Sequence, residues 1–98
     1  MGGYDRGVPR SRSLRAEARR QQAVKIGRLL ADARTAAGRS QAEAAAFLGL
    51  AQTAIAKLEA GSRRLGLLEA IELGHFYGVS ALAFDPAADR SAEPSEGS

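Results

Sequence analysis

Cysteine is absent from this 98-residue chain, and histidine occurs once, at His75. The first absence excludes a disulfide framework and a thiolate metal site. The second removes most zinc and proton-relay chemistry, so His75 reads as a surface or partly buried side chain. No apolar run approaches the ~18 residues that a membrane helix needs. The N-terminus is basic but has no apolar segment behind it, so it does not read as a secretory signal, and the expected compartment is the cytoplasm. Strand patterns, internal repeats, Gly-rich phosphate loops and metal-spaced clusters are also missing. The expectation is a small non-enzyme that needs no cofactor and no metal.

What is present is an uneven charge. The net charge of +3 conceals a residue 1–25 segment with seven basic groups (Arg6, Arg10, Arg12, Arg15, Arg19, Arg20, Lys25) against Asp5 and Glu17. Residues 26–84 are nearly neutral, and the stretch from Asp85 is acidic, with Asp85, Asp89, Glu93 and Glu96 against Arg90. Such a distribution suits a polyanion approached from one side. The alternative is that both ends only aid solubility.

The helix pattern begins at Ser13, and Ile26, Leu29, Leu30, Ala33 and Ala37 share one face. Gly38 stops that helix. Ser40 and Glu43 form a capping box, in which each side chain bonds the other residue's free amide. The second helix is expected over 41–48, ending at Gly49, and the third over 52–59 with Ile55 and Leu58 inward. A loop at 61–64 leads to a fourth helix over 67–77, with Leu67, Ala70, Ile71, Gly74 and Tyr77 as its core stripe. Ser80 caps a short last helix carrying Leu82 and Phe84. Three regions result: a basic arm at 1–22, disordered to about residue 12 and able to extend helix one from Ser13; a helical domain at 23–84; and a disordered acidic tail at 85–98.

The second and third helices, joined by a tight Gly49-Leu50 turn, form a helix-turn-helix of a size that the DNA major groove admits. Its flanks resemble the Cro/repressor type of domain, also called the xenobiotic-response-element family. The resemblance rests on Ile26-Gly27-x-x-Leu30, Arg34, Gly38-x-Ser40-Gln41-x-Glu43, Ala45 and Leu48-Gly49-Leu50. It continues through Ile55, Leu58-Glu59-x-Gly61, Arg64, Leu73 and Tyr77-Gly78-Val79-Ser80. It implies an all-α, five-helix, lambda-repressor-like bundle with flexible termini. It also implies a sequence-specific regulator of transcription: a bacterial, phage or plasmid repressor at the nucleoid, acting as a homodimer on a palindromic operator of double-stranded DNA. The alternative is an antitoxin or other interaction module that neutralises a protein partner and autoregulates its own operon.

In this docking Gln52, Thr53, Ala54 and Lys57 meet base edges. Gln41, at the start of helix two, faces a phosphate, as Arg39 and the loop residues Ser62, Arg63 and Arg64 could. Arg10, Arg12, Arg15, Arg19 and Arg20 of the arm could embrace the backbone. The alternative for all these groups is an ordinary solvated surface. Arg34 and Glu59 are expected to form an ion pair between helices one and three. Leu68 and Phe76, off the core stripe, are candidates for a dimer patch or for peripheral packing. Ala44, Ala51, Leu65-Gly66 and Gly74 depart from the family's usual residues and predict lower stability.

Overall fold

A computed structural model of the chain describes residues 2–87, and the side chains of residues 14–87. It contains four α-helices: α1 (Gly2–Ala36), α2 (Gln41–Leu48), α3 (Gln52–Ala60) and α4 (Leu67–Tyr77). The expected fifth helix is a single 3-10 turn, Ala81–Phe84. Its four residues are too few for an α-helix to gain more than one bond, and Ser80 Oγ caps them by accepting from Leu82 N at 3.1 Å. No strand occurs among the described residues.

α1 is longer than composition suggests. It starts at Gly2, so the backbone of residues 2–12 is helical rather than irregular. Beyond them, residues 14–23 are rich in Ala, Arg, Glu and Gln. These are strong helix formers, and extending an existing helix costs far less than nucleating one. Glu17 and Arg20 pair one turn apart on this exposed stretch. Residues 88–98, most of the acidic tail, lie outside the described residues, as do the side chains of Arg10 and Arg12.

A side-chain cap marks the start of α2, and a glycine cap marks the end of each of the three short helices. Glu43 N donates to Ser40 Oγ at 3.0 Å and Ser40 N donates to Glu43 Oε1 at 2.8 Å, completing the capping box. α2, α3 and α4 each stop at a glycine in the left-handed region, at Gly49, Gly61 and Gly78 (φ 73, 81 and 78°). A β-carbon would be strained there, whereas glycine turns the chain freely.

Leu30 of α1, Ile55 and Leu58 of α3 and Leu73 of α4 are the largest fully buried side chains. Ala44, Ala45, Ala70, Tyr77 and Phe84 complete this core. α3 packs against both α1 and α2, which holds its inner face and leaves its outer face bare. On α4 the buried stripe is Ala70, Leu73, Gly74 and Tyr77. Leu67 and Ile71, expected in that stripe, are 77% and 41% exposed. Both lie on a strip of the helix beside the buried one.

Gly27 and Gly74 allow close backbone approach, as Gly61 does against Val24. A β-carbon on Gly27 would lie 2.7 Å from Leu58 O and closer still to Glu59 O, so α1 and α3 touch backbone to backbone. One on Gly74 would lie 2.7 Å from Val79 O. Gly74 therefore fits its site, contrary to the expectation that it weakens the domain. Ala51 behaves as expected: α3 has no side-chain cap.

Candidate nucleic-acid interface

The turn between α2 and α3 is three residues long, Gly49-Leu50-Ala51. Leu50 N donates to Ala45 O at 2.8 Å, which closes α2 directly against the start of α3. With Ile55 and Leu58 buried, helical spacing turns Gln52, Thr53 and Lys57 to solvent, and all three are exposed. Ala54 is only half-buried and contributes a methyl at most.

Arg34 and Glu59 join α1 to α3 through two parallel bonds, from Nε to Oε2 at 2.7 Å and from Nη2 to Oε1 at 3.2 Å. The hydrogen bond to Glu59 raises the Arg34 pKa against the opposing effect of burial, so the guanidinium keeps its charge. Removing one partner would leave a largely desolvated charge, at a cost of about 3 kcal/mol. The third Arg34 bond, Nη1 to Arg39 O at 2.8 Å, pins the segment that leads into α2.

Gln41 differs from expectation. Its side chain turns inward, where Nε2 donates to Glu59 Oε1 at 2.9 Å and Oε1 accepts from Gln52 Nε2 at 3.3 Å. The ionised carboxylate is a stronger acceptor than water at the helix end, and it lies within reach. A helix N-terminus such as that of α2 favours an anion, although Ser40 Oγ already takes the Glu43 amide.

The cations around this face are also more structured than their sequence positions suggest. Arg39 lies over the Phe76 ring, 4.3 Å from its centroid, and Phe76 stacks on Phe47 at 4.5 Å. Phe76 is thus half-buried in an aromatic stack rather than part of an exposed patch. Arg63 pairs with Glu69 at 3.3 Å, and Glu69 also accepts from Gly66 N at 3.2 Å, the glutamate half of a capping box, while Gly66 supplies no side-chain cap. Ser62 Oγ donates weakly to Lys57 O at 3.4 Å. Arg64 is exposed and makes no ion pair or hydrogen bond among the described residues. Arg15 and Arg19 are likewise exposed. Arg19, Arg20, Arg63 and Arg64 share an open groove of about 670 Å³ whose floor includes Ala23, Ile26, Leu58 and Leu65.

Tyr77 lies close enough to the Arg34–Glu59 pair to feel both charges. Burial pushes its phenol up to about 12, the Glu59 charge adding and the Arg34 charge opposing. Its hydroxyl is buried without a hydrogen-bond partner among the described residues. The described residues hold no group of three or more His, Cys, Asp or Glu able to bind a metal. None of their helices is long and apolar enough to cross a membrane.

Four helices, a three-residue turn and an outward polar flank on the second helix of the pair define a helix-turn-helix protein. The sequence profile of the helix-turn-helix family matches residues 30–84, more than half of the chain, and the chain belongs to that family, in its xenobiotic-response-element type. The domain is a DNA-binding one, of the kind found in regulators, and its family is not enzymatic. Comparison with curated proteins gives no match.

Proposed function

We propose that this chain is a sequence-specific transcriptional repressor that binds a palindromic operator as a homodimer. The observation that carries this reading is α3 itself: Ile55 and Leu58 anchor one face in the core, and Gln52, Thr53 and Lys57 stand exposed on the other. A helix held in that way meets base edges in the major groove with its first turn. Arg39, Ser62, Arg64 and the α2 N-terminus flank it and supply phosphate contacts, and Arg63 joins them in so far as it leaves Glu69. Arg15, Arg19 and Arg20, all exposed, extend the basic surface along α1.

The dimer is supported by exposed apolar side chains on adjoining elements: Leu68 and Ile71 on α4 and Leu82 on the 3-10 turn, 66%, 41% and 66% exposed. Two-fold pairing there would set the recognition helices about 34 Å apart, one helical turn of DNA. The site of action on this reading is the bacterial nucleoid, on a chromosomal, phage or plasmid operator. A second reading, a module that binds a partner protein and autoregulates, is favoured by one feature, the arginine-rimmed groove with its apolar floor.

The test is fluorescence anisotropy with duplexes recovered from a random library, at two stated salt concentrations, alongside sedimentation of the free protein. A tight, salt-dependent complex on a two-fold symmetric site with two chains per duplex is expected. Equal binding to every duplex, or none in dilute buffer, would rule the repressor out.

A further inference from the structure

Ala23 and Ile26 of α1 and Leu65 of the loop after α3 form the floor of one open groove of about 670 Å³. Arg19, Arg20, Arg63 and Arg64 stand around it. We infer that this groove docks an acidic amphipathic helix of a partner protein, and that partner and DNA exclude each other there. The docking stands on the groove itself, whereas the exclusion rests on the phosphate-contacting role proposed above for the loop arginines.

Arg19 and Arg64 are exposed and make no ion pair or hydrogen bond among the described residues. Arg20 is held by Glu17 on an exposed stretch, and Arg63 by Glu69 at 3.3 Å. Pairs open to solvent are worth little, so both arginines can exchange partners. Among the described residues, no aspartate or glutamate lines the groove. Guanidiniums gathered around one cleft repel one another, and an occupant that brings carboxylates relieves that repulsion. Paired arginine–carboxylate bonds would also fix its orientation.

The floor adds a second requirement. Ile26 and Leu65 pack on the core but are only partly buried, so they present apolar surface to whatever enters. Residues 18–26 of α1 give a wall about two helical turns, or ~12 Å, long. One apolar stripe at i, i+3 or i+4, and i+7 of a docked helix covers that length. The walls are already set, because a β-carbon on Gly61 would lie 2.9 Å from the Val24 backbone. Loop and helix touch there, and docking needs little further ordering. DNA would satisfy the arginines but leave Ile26 and Leu65 in water. The α1 helix of a second copy would set arginine against arginine. The acidic stretch 88–98 holds Asp89, Glu93 and Glu96, but its apolar side chains are only Ala88, Ala92 and Pro94. A partner helix with carboxylates beside large apolar residues meets both demands.

The probe is a labelled acidic helical peptide about three turns long, with a leucine stripe flanked by glutamates. Two control peptides replace its glutamates by lysines or its leucines by serines. Fluorescence anisotropy with the full chain, free of DNA, should show the probe binding at least ~10-fold tighter than either control. Arg19→Glu and Arg64→Glu should each weaken it at least ~10-fold, with helix content checked by circular dichroism. Arg28→Glu, exposed on α1 outside the groove, should not. Excess probe should also release the protein from a bound duplex. Equal binding of the leucine and serine peptides, or equal losses for Arg28→Glu and Arg19→Glu, refutes the docking. Probe binding at least ~10-fold tighter in a variant carrying Asp89→Asn, Glu93→Gln and Glu96→Gln would assign the groove to the chain's own acidic stretch instead. A probe that binds the groove yet leaves the duplex complex intact refutes the exclusion alone. No probe binding beside tight duplex binding removes the docking and leaves the repressor reading standing. Probe binding without duplex binding removes that reading and keeps the docking.

Discussion

Gly27→Ala is the sharpest probe of how α3 is held. Two effects of opposite sign compete. Replacing a mid-helix glycine by alanine favours the helix by about 1 kcal/mol. The new methyl, however, would stand 2.7 Å from Leu58 O and the Glu59 carbonyl carbon. Backbone atoms cannot rotate aside, so α1 and α3 must separate by roughly 1 Å to reach ordinary contact distance. That separation loosens Leu30 against Ile55 and Leu58 and lengthens the Arg34–Glu59 bonds. Overpacking costs about 1–3 kcal/mol before any loss in the ion pair is added. The clash should win, because Leu58 O and the Glu59 carbonyl are backbone atoms. Overpacking at the upper end of that range, less the propensity gain, leaves a net loss of about 2 kcal/mol, or a fall in Tm of about 10 °C for a domain of this size. Urea unfolding and thermal melts followed by circular dichroism would measure it. Gly66→Ala is the control, because its β-carbon would have only Glu69 Oε1 at 3.7 Å and Glu69 Cδ at 3.9 Å within reach. A Gly27→Ala protein as stable as the parent would mean that helix propensity prevails and that the two backbones are not in contact.

Tyr77→Phe should leave stability unchanged or raise it by up to about 1 kcal/mol, because it removes a buried hydroxyl without a partner. The parent, with its phenol pushed from 10.0 to about 12, binds that proton more tightly folded than unfolded. Its stability should therefore fall as pH rises through that window, a fall reduced in the phenylalanine variant, and equal slopes in urea melts across pH 10–12 would contradict this. Ala51→Ser should add about 0.5–1 kcal/mol in urea melts by supplying the missing α3 cap, and no gain would mean that the cap site is already satisfied. Arg64→Ala should flatten the slope of log K against log salt by nearly one unit. Arg63→Ala should flatten it less, because Glu69 already offsets that charge at 3.3 Å, and the reverse order in a salt titration would show that the Arg63–Glu69 pair opens on DNA.

The sequence made the local structure legible wherever one residue type has one use. Ser40 with Glu43 marked the start of α2, and Gly49, Gly61 and Gly78 marked three helix ends to within a residue. The Arg34–Glu59 pair followed from the family's pattern. What stayed hidden depends on which elements meet. Nothing local says that Gly27 faces the α3 backbone, that Arg39 lies over Phe76 or that Arg63 turns to Glu69. Leu67 and Ile71 carry the hydrophobicity of core residues, but they fall beside the buried stripe of Ala70, Leu73, Gly74 and Tyr77 rather than in it. Gln41 matched the position of a phosphate contact, yet its partner, Glu59, is 18 residues away in sequence. The spacing of Gln41 and Gln52, 11 residues apart across a tight turn, was the one available hint that they could touch.

The central claim is that the outward flank of α3 reads base identity. It is tested most directly by comparing the full base-preference profile of Gln52→Ala with that of the parent, from the same duplex library at the same salt. Preference should disappear at one or two positions per half-site while the rest of the profile and the salt slope persist. A profile unchanged in shape, with every sequence weakened alike, would contradict it.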